Sequence, residues 1–308
     1  MRHSRLKFAL FCIILLFIST FSFAGAQSVS NQAIAGDINE DGKLNVIDLV
    51  QVLIVIKYGT GSERILDLAN LDRSWDGNVT TSDMLVMLDL IKGKAPLEFY
   101  DLALSNHTGT AFVVSWRTNR PATGSQVRYG YARDDLNEVA EESSGENAPT
   151  NIHFIQVRRL APDRTVYYKI VSDHVQYSAG AGGVDSVSTF PQEMSPVFVI
   201  LQGTVTDGWG NPRERVLVRS LLKNPGSSGE DADTSMWFAV LTREDGTFAL
   251  NTANYRTTER KVMNYIQDET WLHLRLIGSA GETLQDSVLL TARPYSYQLL
   301  GTFVLDAE

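Results

Sequence analysis

The chain has 308 residues, a formal net charge of −9 and a single cysteine. The acidic balance argues against nucleic acid and anionic membrane surfaces as partners, because like charge repels both. One cysteine excludes an internal disulfide framework.

The first element is MRHSRLKFALFCIILLFISTFSFAGAQS. Arg2, Arg5 and Lys7 give a basic start, Phe8 to Phe23 is apolar, and Ala24-Gly25-Ala26 is a small-residue cleavage site. That is the pattern of a secretory signal peptide over 1–26, followed by a linker at 27–33; an uncleaved anchor is the competing reading. Cleavage removes Cys12 and three basic residues, which takes the net charge to −12. The expected location is extracellular or cell-surface. No other segment is long and apolar enough to span a bilayer, so none is expected after cleavage.

GDINEDGKLNVIDL follows at 36–49. Counted from Asp37, positions 1, 3, 5, 9 and 12 are Asp37, Asn39, Asp41, Asn45 and Asp48, with Gly42 at position 6 and the Lys43 carbonyl at position 7. Alternate residues of a curled loop point at one centre, and hard Ca²⁺ takes oxygen ligands at that spacing. DRSWDGNVTTSD repeats the pattern 35 residues later, with Asp72, Ser74, Asp76, Asn78, Thr80 and Asp83 in the corresponding places and Gly77 at the turn. Each loop leads into an apolar helix, LVQVLIVIK or MLVMLDLIK. The unit is loop plus helix, twice, with two Ca²⁺ ions expected.

Position 12 is Asp rather than Glu, and no long helix precedes either loop. This duplicated pattern resembles a type I dockerin over 34–95. The resemblance implies a cohesin-like partner, chosen by positions 10 and 11 of each loop. Those are Val46 and Ile47, an unusually apolar pair, and Thr81 and Ser82. Ser74 and Thr80 are weaker ligands than Asn or Asp, so the second site is expected to bind less tightly. Trp75 is either packed on a neighbour or a partner-facing anchor.

GKAPLE (Gly93 to Glu98) is a short joint with limited motion. Beyond it the pattern changes to short alternating runs, TAFVVSWRT, SQVRYGY, NIHFIQVRRL and TVYYKIVSD, separated by turns. They predict an antiparallel sandwich over 97–192. Trp116, the Leu160–Pro162 turn and RPATGSQVRYG resemble a fibronectin type III domain of the kind that precedes the catalytic domain of purple acid phosphatases. Val166 stands where that family usually has its tyrosine-corner residue. No catalytic metal motif follows. The polar stretches 141–150 and 223–235 are expected loops, and SAGAGGVDS is a Gly-rich loop that makes no phosphate cradle.

The last third, 196–308, opens with VILQGTVTDGWGNPRERVLVRS and continues with MWFAVLTREDGTFALN, WLHLRLIG and YQLLGTFVL. Asp245-Gly246 predicts a hairpin between its flanking strands. Residues 253–268 predict a short helix or a long loop. G-x-V-x-D-x-x-G-x-P followed by T-x-x-D-G-x-F-x-L is similar to the transthyretin-like carboxypeptidase regulatory domain, which bacterial surface proteins use as stalks and adaptors.

The fold expected is therefore multidomain, with a small all-α dockerin-like module and two antiparallel all-β sandwiches. There is no nucleophile elbow, zinc-protease helix or Walker loop, and His107, His153, His174 and His273 are scattered. The expectation is a non-catalytic, secreted, calcium-dependent interaction protein. Its rival is a carbohydrate-binding accessory of extracellular polysaccharide breakdown, with Trp209 in the DGWGN turn as aromatic platform, although turn tryptophans more often pack on their own domain.

Overall fold

The computed structural model describes residues 34–59, 61–73, 78–142, 149–180, 183–191, 197–225 and 234–306. The expected signal peptide and linker, Ser74, Trp75, Asp76 and Gly77, and much of the loops at 141–150 and 223–235 lie outside them. Among the described residues the fold is mostly β, with three helices at the N-terminal end.

Helix α1 is Val46–Tyr58, α2 is Glu63–Ala69 and α3 is Thr81–Ile91. The two longer helices follow the two loops. Each starts in a capping box: Asn45 with Asp48 for α1, and Thr80 with Asp83 for α3. Such a pair satisfies backbone N–H groups that the first turn leaves orphaned. α1 ends at Gly59, whose φ of +62° closes the last turn in the left-handed conformation. Ile38, Val52, Ala69, Leu71 and Met87 form the small core between the units. The short α2 is an addition to the two helices the sequence announces.

The first sandwich has two sheets. One is β1 (Phe99–Ser105), β2 (Phe112–Ala122) and β5 (Thr150–Val157) in the order β1-β2-β5. The other is β3 (Gln126–Gly130), β4 (Glu138–Glu141), β6 (Thr165–Ser172) and β7 (Val175–Tyr177) in the order β4-β3-β6-β7, with β8 (Asp185–Ser188) also on β6. Phe112, Val114, Trp116, Ile155 and Val157 face Val127, Val166, Tyr168 and Ile170 across its core. Trp116 is fully buried and donates its Nε1–H to Ser172 Oγ at 3.2 Å, so its one polar atom is satisfied. Val166 fills the core as an apolar side chain.

The second sandwich pairs the sheet β12-β9-β15 with the sheet β11-β10-β13-β14. Its strands are β9 (Val199–Thr206), β10 (Leu217–Lys223), β11 (Phe238–Leu241), β12 (Thr247–Asn251), β13 (Trp271–Ile277), β14 (Thr283–Leu289) and β15 (Ser296–Val304). Two expectations are corrected here. β11 and β12 do not form a hairpin: β11 pairs with β10 and β12 with β9, in opposite sheets. The Asp245-Gly246 turn is a corner; it closes locally through Arg243 N to Thr247 O, and the chain then crosses the core. Nor is the sandwich purely antiparallel, because β15 runs parallel to β9. Residues 253–268 hold only the end of a 3-10 turn, Thr252–Asn254, and otherwise loop.

The two sandwiches stack face to face. Alternation sends Phe112, Val114 and Trp116 of β2 into their own core and Val113, Ser115 and Arg117 to the other side. That other side is covered: Val113 and Ser115 are fully buried. Ile152 and Phe154 of β5 pack on Leu217, Ala239, Leu241 and Ile277 of the second sandwich. The sheet β1-β2-β5 is thus buried on both faces, which is why AFVVSW is an unbroken buried run rather than an alternating one.

Candidate functional site

The first loop gathers oxygen atoms. Asp37 Oδ1 and Asn39 Oδ1 accept from the same N–H, that of Asp41, at 3.2 and 3.1 Å. Asp37 Oδ2 accepts from Gly42 N at 2.8 Å, and Asn39 Nδ2 donates to Asp41 Oδ2 at 3.0 Å. Positions 1, 3 and 5 therefore converge on one side of the loop. Gly42 has φ +79°, the left-handed turn expected at position 6.

Positions 9 and 12 have a second duty. Asp48 is buried, with Oδ1 accepting from Ile38 N at 2.9 Å and Oδ2 from Asn45 N at 2.9 Å. In the second unit, buried Asp83 accepts from Leu71 N at 2.6 Å, Asp72 N at 2.9 Å and Thr80 N at 2.7 Å. Ligand spacing alone reads these residues as metal-binding and misses their role as helix caps; the N-x-x-D and T-x-x-D spacing carries that information. Among the described residues, no three His, Cys, Asp or Glu side chains cluster as a metal site. A cation in the first loop would lean on the amide oxygen of Asn39 and on the Lys43 carbonyl besides Asp37 and Asp41. The oxygen-only donor set at positions 1, 3 and 5 fits a hard cation. Asn78 is exposed, Asp72 is buried, and Ser74 and Asp76 fall outside the described residues.

The positions expected to choose a partner sit in corresponding first turns. Val46, Ile47 and Thr81 are exposed and Ser82 is half-buried. More of α1 is exposed than those two residues. Val50, Leu53, Ile54 and Tyr58 also face solvent, with Val46 and Tyr58 each 62% exposed, while Val52 and Val55 point into the module. The helix is apolar all round and only one side of it is covered.

The module sits on the first sandwich. Leu97, Ala122 and Val175 pack together with Val86 of α3. Gln176 N donates to Asp72 O at 2.6 Å, and Arg120 Nε to Ala95 O at 2.9 Å. Asp173 holds Arg120 in place by accepting from its Nη1 at 2.5 Å, and accepts from Thr123 N at 2.7 Å.

Two charged bridges join the sandwiches. His153 is buried and stacks on Trp116, with Nε2 3.3 Å from Thr118 Oγ1 and Nδ1 3.4 Å from Glu142 Oε2. Hydroxyl, imidazole and carboxylate in a row have the order of a nucleophilic triad. Thr118 is fully buried and gives its proton to Arg120 O at 2.8 Å, so no substrate reaches it. Glu142 instead continues to Arg215 of the second sandwich at 2.6 Å. Burial opposes the charge on Glu142, but His153 and Arg215 outweigh it and hold its carboxyl below the usual glutamate range.

The second bridge is centred on Asp101, in a bulge of β1 with φ +50°. Its carboxylate accepts from Arg275 Nη2 at 2.9 Å and Arg117 Nε at 3.4 Å. Arg219, 4% exposed, donates to the carbonyl of Asp101 and to Ser115 Oγ at 3.1 Å. Arg219 and Arg275 are directly opposed in the β10–β13 ladder. Burial, with Arg275 adding to it against the pull of Asp101, lowers the Arg219 guanidinium to about 10.

Of the remaining histidines, His107 is buried against Phe190 and His273 lies on β13 with Nδ1 2.7 Å from Ser287 Oγ. Trp209 is 90% exposed, so it does not pack on its own domain as turn tryptophans usually do. Among the described residues no helix is long and apolar enough to cross a membrane.

One family model matches, the purple acid phosphatase N-terminal domain, over residues 98–190. This is the first sandwich, and it is under a third of the chain. No curated protein matches. Similar solved structures include 3-chlorocatechol 1,2-dioxygenase from Rhodococcus opacus 1CP, at 16% identity and TM-score 0.26, covering 39% of this chain and 63% of that one. The FN1–FN3 domains of chicken CNTN1 match at 12% identity and TM-score 0.21, covering 65% of this chain and 67% of that one. Two domains of the major pilin SpaD from Corynebacterium diphtheriae match at 9% identity and TM-score 0.23, covering 68% and 98%. This chain thus spans less than two thirds of the dioxygenase. Likeness at this level carries no functional argument.

Proposed function

We propose that this is a secreted, non-catalytic docking protein whose N-terminal module is dockerin-like, binds two Ca²⁺ ions and engages a cohesin-like domain. Asp37, Asn39, Asp41, Lys43, Asn45 and Asp48 would hold the first ion. Asp72, Ser74, Asp76, Asn78, Thr80 and Asp83 would hold the second. The two sandwiches, the second transthyretin-like, would carry the module as a rigid body. The observation that carries this reading is the open apolar side of α1: Val46, Ile47, Val50, Leu53, Ile54 and Tyr58 on one 13-residue helix. A contiguous apolar patch of that kind on a soluble protein marks an interaction surface. The duplicated oxygen-bearing loops supply the calcium dependence, since a cation that binds only the folded loop stabilises the helix after it.

The test is calcium titration of the chelator-stripped chain, read by calorimetry and by helical circular dichroism. Two ions with a gain of helix, lost in Asp37→Ala plus Asp72→Ala, support the reading. A cohesin panel then binds the calcium-loaded chain but not Val50→Asp plus Ile54→Asp. No binding at millimolar calcium, or a cohesin interaction untouched by the α1 substitutions, refutes it.

A further inference from the structure

The sequence WLHLRLI of β13 alternates cleanly. Leu272, Leu274 and Leu276 enter the core of the second sandwich. Trp271, His273 and Arg275 lie on the opposite face, where Ile277 is covered by the first sandwich. Arg275 is held by Asp101 of the first sandwich, and beyond it the face opens. It forms a groove lined by Trp237, His273, Arg275, Gln285, Asp286 and Ser287. Trp271 borders it two residues along the strand from His273, and is 44% exposed; Trp237 is 37% exposed. We propose that this groove binds an uncharged polysaccharide, with Trp237 and Trp271 as the surfaces on which sugar rings stack.

Three observations select that occupant. Indoles left in water are a standing cost that only an apolar partner face removes. The polar groups between them are of mixed kind: Arg275 donates, Gln285 both donates and accepts, and His273 is fixed by Ser287, its direct neighbour in the ladder. A hydroxyl-rich ligand presents donors and acceptors together and can answer all of them. The charge on Arg275 is already met by the Asp101 carboxylate within an acidic chain, so nothing draws in a polyanion.

The platform is also set in advance. Asn106, from the loop after β1, donates Nδ2–H to Ala239 O at 2.8 Å and accepts from Ala239 N at 2.6 Å, and Asn106 N donates to Trp237 O at 3.2 Å. The first sandwich thereby clamps the backbone that presents Trp237. A site ordered before binding loses less entropy on binding. The groove lies in the second sandwich and requires neither calcium nor α1, so the proposal stands apart from the docking function.

The test is affinity electrophoresis of the full mature chain, with chelator, in gels containing xyloglucan, mixed-linkage β-glucan, arabinoxylan or galactomannan. Polygalacturonate serves as the charged arm. The expected result is retardation by at least one neutral polymer, weakened at least tenfold by Trp271→Ala and by Trp237→Ala, as truncation of a stacking anchor costs. Gln285→Ala, on the exposed edge strand β14, should weaken it severalfold with an unchanged melting temperature, which separates binding from folding. Trp209→Ala should leave it unchanged. No retardation by any neutral polymer, retardation only by polygalacturonate, or retardation that is lost with Trp209 and kept without Trp271 overturns the proposal.

Discussion

Asp101→Asn is the sharpest test of how the sandwiches are held together. Asparagine matches the shape of aspartate and tolerates the left-handed φ of +50° at this position, so the exchange removes charge and little else. It leaves Arg117 and Arg275 without their shared carboxylate, and it leaves buried Arg219, held by the Asp101 backbone carbonyl and directly opposed to Arg275 across a ladder, without the neighbouring negative charge. Breaking a fully buried pair costs about 3–5 kcal/mol. Asp101 and Arg117 side chains keep 17% of their exposure and Arg275 keeps 36%, so water recovers part of that. The expected loss is about 2–3 kcal/mol. In urea unfolding that is a midpoint lower by roughly 1 M. Adding Arg219→Met to Asp101→Asn should restore part of the loss, and the cycle should give a coupling of about 1 kcal/mol or more. A loss below about 0.5 kcal/mol, the size of a surface pair, would refute the argument that this carboxylate neutralises a buried guanidinium cluster.

Two further predictions concern pH. Glu142 has a folded pKa below its unfolded value, so its ionised form contributes stability that is complete above about pH 4.3 and is lost as pH falls through the folded value. Glu142→Gln should cost about 2 kcal/mol at pH 7, with a gap to the parent chain that narrows by pH 3; urea midpoints at pH 7, 5 and 3 check this, and a constant gap contradicts it. His107 has the opposite chemistry: burial lowers it to about 4, so it is neutral in the fold and charges more readily once unfolded. Its contribution is complete above about pH 6.5 and falls away from there toward pH 4, at up to about 1.4 kcal/mol per pH unit. His107→Phe keeps an aromatic ring against Phe190 and should flatten that part of the melting-temperature profile; an unchanged profile would show that another group sets it.

Local features were legible in the sequence and cross-chain ones were not. The loop repeat announced α1 and α3, and alternation announced most strands within a few residues of their observed bounds. Trp116 was recognisable as core through the resemblance to a fibronectin type III domain, and it does join Phe112 and Val114 in that core. Period two names a strand but not its neighbour, which is why Asp245-Gly246 suggested a hairpin where the chain turns a corner. Asp48 and Asp83 carry the spacing of a ligand and of a cap at once, and spacing alone does not rank the two. The bridges through Asp101 and Glu142 join residues 73 to 174 positions apart. In the sequence each is a single charged residue in or beside a strand.

The doubly covered sheet bears on the docking role proposed above. Beads on a string lengthen under tension and let their ends turn freely. Here four sheets lie in a pile, and at about 10 Å per gap the pile is roughly 30 Å deep, close to the length of its own strands. Such a block has no long axis to extend and no swivel. Under the docking role and the groove proposed above, a partner on α1 and a ligand on the second sandwich would stay at one distance and one angle, so that a pull or a twist on either is felt at the other.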